Sequence, residues 1–111
     1  MSVDERMLIE PLCVTVHSWN RAKSTNIINF GSTVLVQGCG TIGLSQIAVL
    51  KAAGVVNIIA VDGVEKRLEL AKEMGIPVEK LVTHHYPLEQ YVDAMEKNIS
   101  LEGVKIAIVM E

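Results

Sequence analysis

Val34-Leu35-Val36-Gln37-Gly38-Cys39-Gly40-Thr41-Ile42-Gly43, followed nineteen residues later by Asp62, is the stretch that decides the fold. Thr33 to Gln37 is rich in β-branched and aliphatic side chains and short enough for a buried strand. Glycines then fall at 38, 40 and 43. Thr41 to Ala53 is apolar on nearly all sides, as a helix packed against a sheet would be, and Gly54 closes it. A second strand spans Val55 to Val61 and ends at Asp62. Val64 to Met74 places Leu68, Ala71 and Met74 on one helical face, and Gly75 with Pro77 ends that helix. Strand, helix, strand, helix in this order predicts a parallel βαβα unit with a right-handed crossover.

Gly38 to Gly43 fits the pattern G-x-G-x-x-G, in which each glycine has a physical task. The first permits a tight turn out of the strand. The second lets the backbone approach a diphosphate, and the third lets the helix lie close to the strand. A helix beginning near Thr41 aims unpaired N–H groups at the same spot, which favours an anion there. Such a glycine run alone is weak evidence. Here a strand precedes it, a helix follows it, and an acid closes the next strand, the three conditions of a Rossmann nucleotide-binding unit. Asp62 is placed to accept both hydroxyl hydrogens of an adenosine ribose and to repel a 2′-phosphate, so NAD is expected over NADP. The expected cofactor-binding residues from this pattern are Gly38, Cys39, Gly40, Thr41, Ile42, Gly43 and Asp62. Cys39, beside a helix N-terminus, has a reactive-thiol reading, but small apolar side chains suit the position, so packing is the default.

Working outward, Leu8, Leu12, Val16 and Trp19 recur at helical spacing, which predicts a helix from about Glu10 to Lys23 with Pro11 in its first turn. His17 on that helix is read as a packed histidine rather than a ligand. Beyond Gly75, Leu81-Val82-Thr83 reads as a short strand, and Pro87 opens a helix whose stripe is Leu88, Tyr91, Val92 and Met95. Val104 to Met110 reads as a third main strand, expected to join the sheet beside one of the first two. The fold class is therefore α/β: a partial Rossmann unit with an N-terminal helix and a C-terminal helix and strand, one domain over residues 1–111.

The chain has 111 residues, 50% hydrophobic and 21% charged, with a net charge of -3, enough apolar material for one small core. The acidic balance, with Lys66-Arg67 the only adjacent basic pair, argues against nucleic acid. The start, Met1 to Arg6, is acidic and leads into no signal-like apolar stretch. The apolar region Leu44 to Val61 is interrupted by Gln46, Lys51, Gly54 and Asn57, so no membrane span is expected. A cytoplasmic chain with Cys13 and Cys39 as free thiols follows as the expectation.

With these residues in view, the chain resembles the zinc-type medium-chain dehydrogenases, and within them the sorbitol and other polyol dehydrogenases. Leu8-Ile9-Glu10-Pro11-Leu12, His17, the glycine loop, Val61-Asp62 and Arg67 to Gly75 are similar to the first half of the family's cofactor domain, so residues 8–75 form one block. Leu81 to His84, Tyr86 to Glu89 and Gly103 to Ile106 are similar to the family's C-terminus, so residues 76–111 form a second block. The zinc-binding front of the family and the second Rossmann half have no counterpart, so the chain reads as truncated and internally deleted. The resemblance implies an adenosine contact for Arg67, which as a helix residue also reads as a solvated surface charge. It places Glu10 where the family has a glutamate at or beside zinc, but a lone carboxylate cannot hold that metal, so no zinc is expected. His84-His85 point to opposite faces of a strand and are not expected to chelate together. In the family the second of that pair is usually arginine, so His85 weakens any inherited polar contact.

The functional expectation is binding of NAD or its ADP-ribose half without turnover, in a remnant of an NAD-dependent alcohol or polyol oxidoreductase. The competing expectation is a non-catalytic module that self-assembles through exposed sheet edges, or pairs with a full-length dehydrogenase. An S-adenosylmethionine methyltransferase shares the glycine loop and acid, but not the matches at Arg67 to Gly75 and Leu81 to His84.

Overall fold

Val34 and Val36 of one short strand and Ile58 and Ala60 of its parallel neighbour turn to the same side, which an apolar helix covers. The computed structural model describes residues 1–74 and 82–109. Helix α1 (Val3–Ser24) leads into β1 (Thr33–Gln37), the glycine loop and α2 (Thr41–Ala52), then β2 (Asn57–Val61) and α3 (Glu65–Glu73). β1 and β2 are parallel and in register from Thr33 opposite Asn57 to Gln37 opposite Val61. The chain then forms β3 (Val82–Pro87), a 3₁₀ turn (Leu88–Gln90), α4 (Tyr91–Ile99) and β4 (Lys105–Val109).

The α/β, partial Rossmann-like architecture is as the sequence predicts, with one correction. β4 does not join β1 or β2. It pairs in parallel with β3, forming a second two-stranded sheet. β3 and β4 are the two strands that α4 connects, and such a crossover unit pairs its own strands; α4 lies against both. The helical stripe predicted after Pro87 exists, but Leu88, Tyr91, Val92 and Met95 are exposed, and α4 buries Ala94 instead. The predicted stop at Gly75 and Pro77, and the proposed strand residues Leu81 and Met110, lie outside the described residues.

Helix α1 starts at Val3 rather than near Glu10. Ser2 accepts from Glu5 N, and the Glu5 carboxylate accepts from Ser2 N, a reciprocal cap that the Ser2-x-x-Glu5 spacing specifies. Pro11 therefore lies inside the helix, where it lacks the N–H that would reach the Met7 carbonyl. Its buried face is Leu8, Pro11 and Thr15, flanked by Leu12 and Trp19. Val16, placed in that stripe by spacing, is 44% exposed, and His17, expected to be packed, is exposed. Of the predicted stripe, Leu8, Leu12 and Trp19 do pack with the core, while Thr15 rather than Val16 completes the buried face.

Helix α2 packs between α1 and β1, which explains why it is apolar nearly all round. Gly54 ends it with φ +88: Gly54 N donates to Lys51 O and Val55 N to Leu50 O, the paired bonds of a Schellman stop. Leu8, Leu44 and Leu50 are at most 1% exposed. Each contributes about 1.5–3 kcal/mol by burial. Ala71, Met74, Val82 and Ala107 belong to the same core cluster, so the two units share one interior. Leu68, Ala71 and Met74 do form the inner face of α3.

The third loop glycine fixes how α2 meets β1. A Cβ on Gly43 would lie 1.7 Å from the Gly38 carbonyl oxygen and 2.8 Å from its carbon, both backbone atoms. Gly43→Ala is therefore expected to lose about 3 kcal/mol or more of stability in urea denaturation followed by circular dichroism. Retention of wild-type stability would show that the loop and α2 do not approach as closely as described.

Candidate functional site

The site is built where β1 and β2 both end. Gly38 leaves β1 with φ +92, a conformation that side chains other than hydrogen disfavour, and its N–H donates to Val61 O at 2.7 Å. Gly40 is the N-cap of α2, and no side chain caps that helix. Leu44 N is the first α2 amide bonded back to the cap, at Gly40 O, 2.9 Å. The amides of Thr41, Ile42 and Gly43 belong to the first turn, which leaves donors without intrahelical partners. A Cβ on Gly40 would meet nothing within 4 Å, so the loop is open on that side.

Asp62 sits against this loop. Cys39 N donates to its Oδ2 and Val64 N to its Oδ1, each at 2.7 Å. The Arg67 guanidinium stands 4.0 Å from Oδ2, and the Asp62 side chain is 9% exposed. Sequence reasoning placed the carboxylate at the strand tip; its use as a latch on the loop backbone was not foreseen. The Cys39 bond, then the Val64 bond, and secondarily Arg67, hold the carboxyl below its ordinary range against the opposing effect of burial. Arg67 thus lies beside the acid rather than as a free surface charge, and its Nε is buried without a partner among the described residues.

The other predicted positions sort plainly. Gly38, Cys39, Gly40, Thr41, Ile42, Gly43, Asp62 and Arg67 are brought together at one end of the first sheet. The Cys39 side chain is fully buried, and burial, then the Asp62 charge, push its thiol up. That is the packing role, and it opposes a reactive thiolate. The cysteines are free thiols, Cys13 exposed and Cys39 buried. Thr41 Oγ1 donates to Val104 O at 3.0 Å, so the β3–β4 unit touches the start of α2. No sequence pattern announced that contact, because it joins residues from different units.

A cleft of about 700 Å³ opens on the β1 side of the loop, between Trp19 of α1, residues 34–37 and α2; Asp62 and Arg67 lie outside its lining. His84 Nδ1 meets Thr83 Oγ1 at 2.9 Å, whereas His85 Nε2 meets Asp4 Oδ1 at 2.7 Å, so the adjacent histidines serve separate partners. Glu10 is exposed on α1. Among the described residues no group of three or more histidine, cysteine, aspartate or glutamate side chains is placed to hold a metal ion. No helix there is long and apolar enough to cross a membrane.

Over part or all of its length the chain is similar to several polyol and other dehydrogenases. The chain is 34% identical over 97 residues to a sorbitol dehydrogenase of Bombyx mori, covering 87% of this chain and 27% of that protein. It is 41% identical over 80 residues to an L-threonine 3-dehydrogenase of Bacillus subtilis, covering 72% and 22%. It is 34% identical over 113 aligned positions to an L-arabinitol 4-dehydrogenase of Hypocrea jecorina, covering 100% and 28%. The chain thus spans about a quarter of the length of the curated relatives it matches. No family model matches it, and no solved structure does.

Both Asp62 oxygens accept from an N–H, so an amide in its place satisfies one donor and turns its own NH₂ toward the other. Asp62→Asn is expected to cost about 1–3 kcal/mol at neutral pH. Because the folded carboxyl is held below its unfolded value of about 3.9, its stabilisation is complete above that pH and fades as pH falls through the folded value. Urea denaturation of both proteins across that range checks this: the gap should narrow on acidification, and a gap that is constant or absent contradicts the latch.

Proposed function

We propose that this sorbitol- and polyol-dehydrogenase-like chain binds the ADP-ribose half of NAD at the glycine loop, without turnover by this chain alone. The observation that carries the proposal is the pairing of an open, uncapped α2 start with an ionised Asp62 bonded to the same loop. A diphosphate over Gly40 would receive the first-turn amides of α2 and the positive end of its dipole. Gly40 supports this reading because the space beside it is where any larger side chain would stand.

The Asp62 carboxylate has about four lone-pair sites, of which the Cys39 and Val64 amides engage two. The remainder accept from the ribose hydroxyls, while the bonded pair keeps the plane of the carboxylate fixed. Its charge opposes a 2′-phosphate, so NAD is selected over NADP. Arg67 balances part of that charge at 4.0 Å and supplies a cationic side chain at the adenosine end. When bound, NAD supplies the hydride-accepting ring; the residues assigned here hold only its other end. No step through zinc is assigned, since the described residues offer no ligand set for it. A cytoplasmic setting, as sequence reasoning expected, suits a nucleotide-binding chain of this kind.

Calorimetry with NAD, ADP-ribose and NADP tests the proposal. NAD and ADP-ribose should bind with equal affinity, and NADP at least about tenfold more weakly, a difference of 1.4 kcal/mol. Gly40→Val should abolish binding of both while the circular dichroism spectrum is kept. Absence of NAD binding, equal NADP affinity, or reduction of NAD by sorbitol would overturn it.

A further inference from the structure

A diphosphate over Gly40 depends on where the first turn of α2 points, and that turn is held from outside its own sheet. The turn carries Thr41, Ile42 and Gly43, so Thr41 supplies its one hydroxyl. Threonine hydroxyls commonly bond to backbone close by in sequence. Thr41 Oγ1 instead donates across 63 residues to Val104 O at 3.0 Å. A hydroxyl has a single proton, so while this bond stands Thr41 offers a diphosphate its amide and no side-chain donor. The hydroxyl serves the position of the turn.

Val104 is fixed in its turn by β3. Its N–H donates to Thr83 Oγ1 at 3.0 Å, while its carbonyl receives Thr41. Thr83 reaches it because the β3 ladder is irregular there: Val82 stands opposite Lys105 and His84 opposite Ile106, two steps on β3 against one on β4. A bulge of this kind re-aims the side chain of the extra residue. Here it sets the Thr83 hydroxyl against the residue that leads into β4. Gly103 leaves that junction no slack, since a Cβ on it would lie 3.0 Å from Ile106 Cγ1 and 3.2 Å from His84 Nδ1.

We propose that Thr83, acting through Val104 and Thr41, is a positioning residue for the phosphate-binding turn, so that the β3–β4 unit sets nucleotide affinity through no contact of its own with the ligand. The inference rests on the ADP-ribose reading for its ligand alone. A link made of neutral hydrogen bonds is worth a modest factor, about threefold to tenfold in affinity. The units share one other long-range polar tie, His85 Nε2 to Asp4 Oδ1 at 2.7 Å. That tie is exposed and reaches α1, not the loop, so it separates docking in general from the path through Val104.

Calorimetry with ADP-ribose, and amide hydrogen exchange of the ligand-free chain, test this role. Thr83→Val keeps the shape and removes the hydroxyl. It should weaken ADP-ribose about threefold. It should also speed exchange at Leu44, bonded to Gly40 O, and at Cys39, bonded to Asp62. Thr83→Ser should match the wild type, and Thr83→Ala replaces the valine variant if that one does not fold. Thr41→Val should weaken binding about threefold to tenfold, and the double variant no further, because both changes act through Val104. His85→Ala should bind as the wild type does. Wild-type affinity and exchange in Thr83→Val overturn the proposal. So do additive losses, which mark a Thr41 hydroxyl in direct contact with phosphate, or an equal loss in His85→Ala, which marks docking in general. A wild type that binds no ADP-ribose overturns the nucleotide reading instead. Exchange at Leu44 and Cys39, read without ligand, then decides the positioning role: faster in Thr83→Val supports it, and unchanged overturns it.

Discussion

Two backbone amides, one from the glycine loop and one from the turn into α3, converge on the Asp62 carboxylate. The first of these bonds joins residues 23 positions apart and fixes the loop relative to the end of β2. Without it the loop would be anchored only through Gly38 and the start of α2. The short distance between the Gly43 position and the Gly38 carbonyl is the companion constraint, since it seats α2 directly against the turn. Together they hold an uncapped helix start and an ionised acid at one end of a sheet, and the nucleotide reading rests on both.

The elements around the loop were legible in the sequence because local pattern and tertiary role coincide there. Thr33 to Gln37 is a strand over the residues its composition indicates, and Leu68, Ala71 and Met74 face inward as their spacing requires. The start of α1 was written in Ser2-x-x-Glu5 and overlooked, because the apolar stripe that drew attention begins later. Leu8, Leu12 and Trp19 of that stripe do face the core, but Val16 and His17 are exposed, because the buried line runs through Leu8, Pro11 and Thr15. Pairing of β4 with β3 was not legible from periodicity. Strand composition indicates that a segment pairs, while the connecting α4 determines its neighbour.

The candidate site was legible as a set of residues but not as an arrangement. The three glycines and the acid are visible from spacing alone, whereas the hydrogen bond from Cys39 to Asp62 depends on how β1 and β2 register. Arg67 entered through family resemblance, and its position 4.0 Å from Asp62 supplies a physical reason for a cation there. The contact of Thr41 with Val104 shows the second unit reaching the edge of the same site. The β1–β2 and β3–β4 units are therefore neighbours in space, sharing a core through Val82 and Ala107.

An amide-resolved NMR titration of the isotopically labelled chain with ADP-ribose tests the central claim most directly. The account predicts that the largest shifts fall on the amides of residues 39–43 and on Val64, with Thr83 and Ala107 little changed. Shifts concentrated on β3 and β4, or none along the loop at saturating ligand, would contradict it.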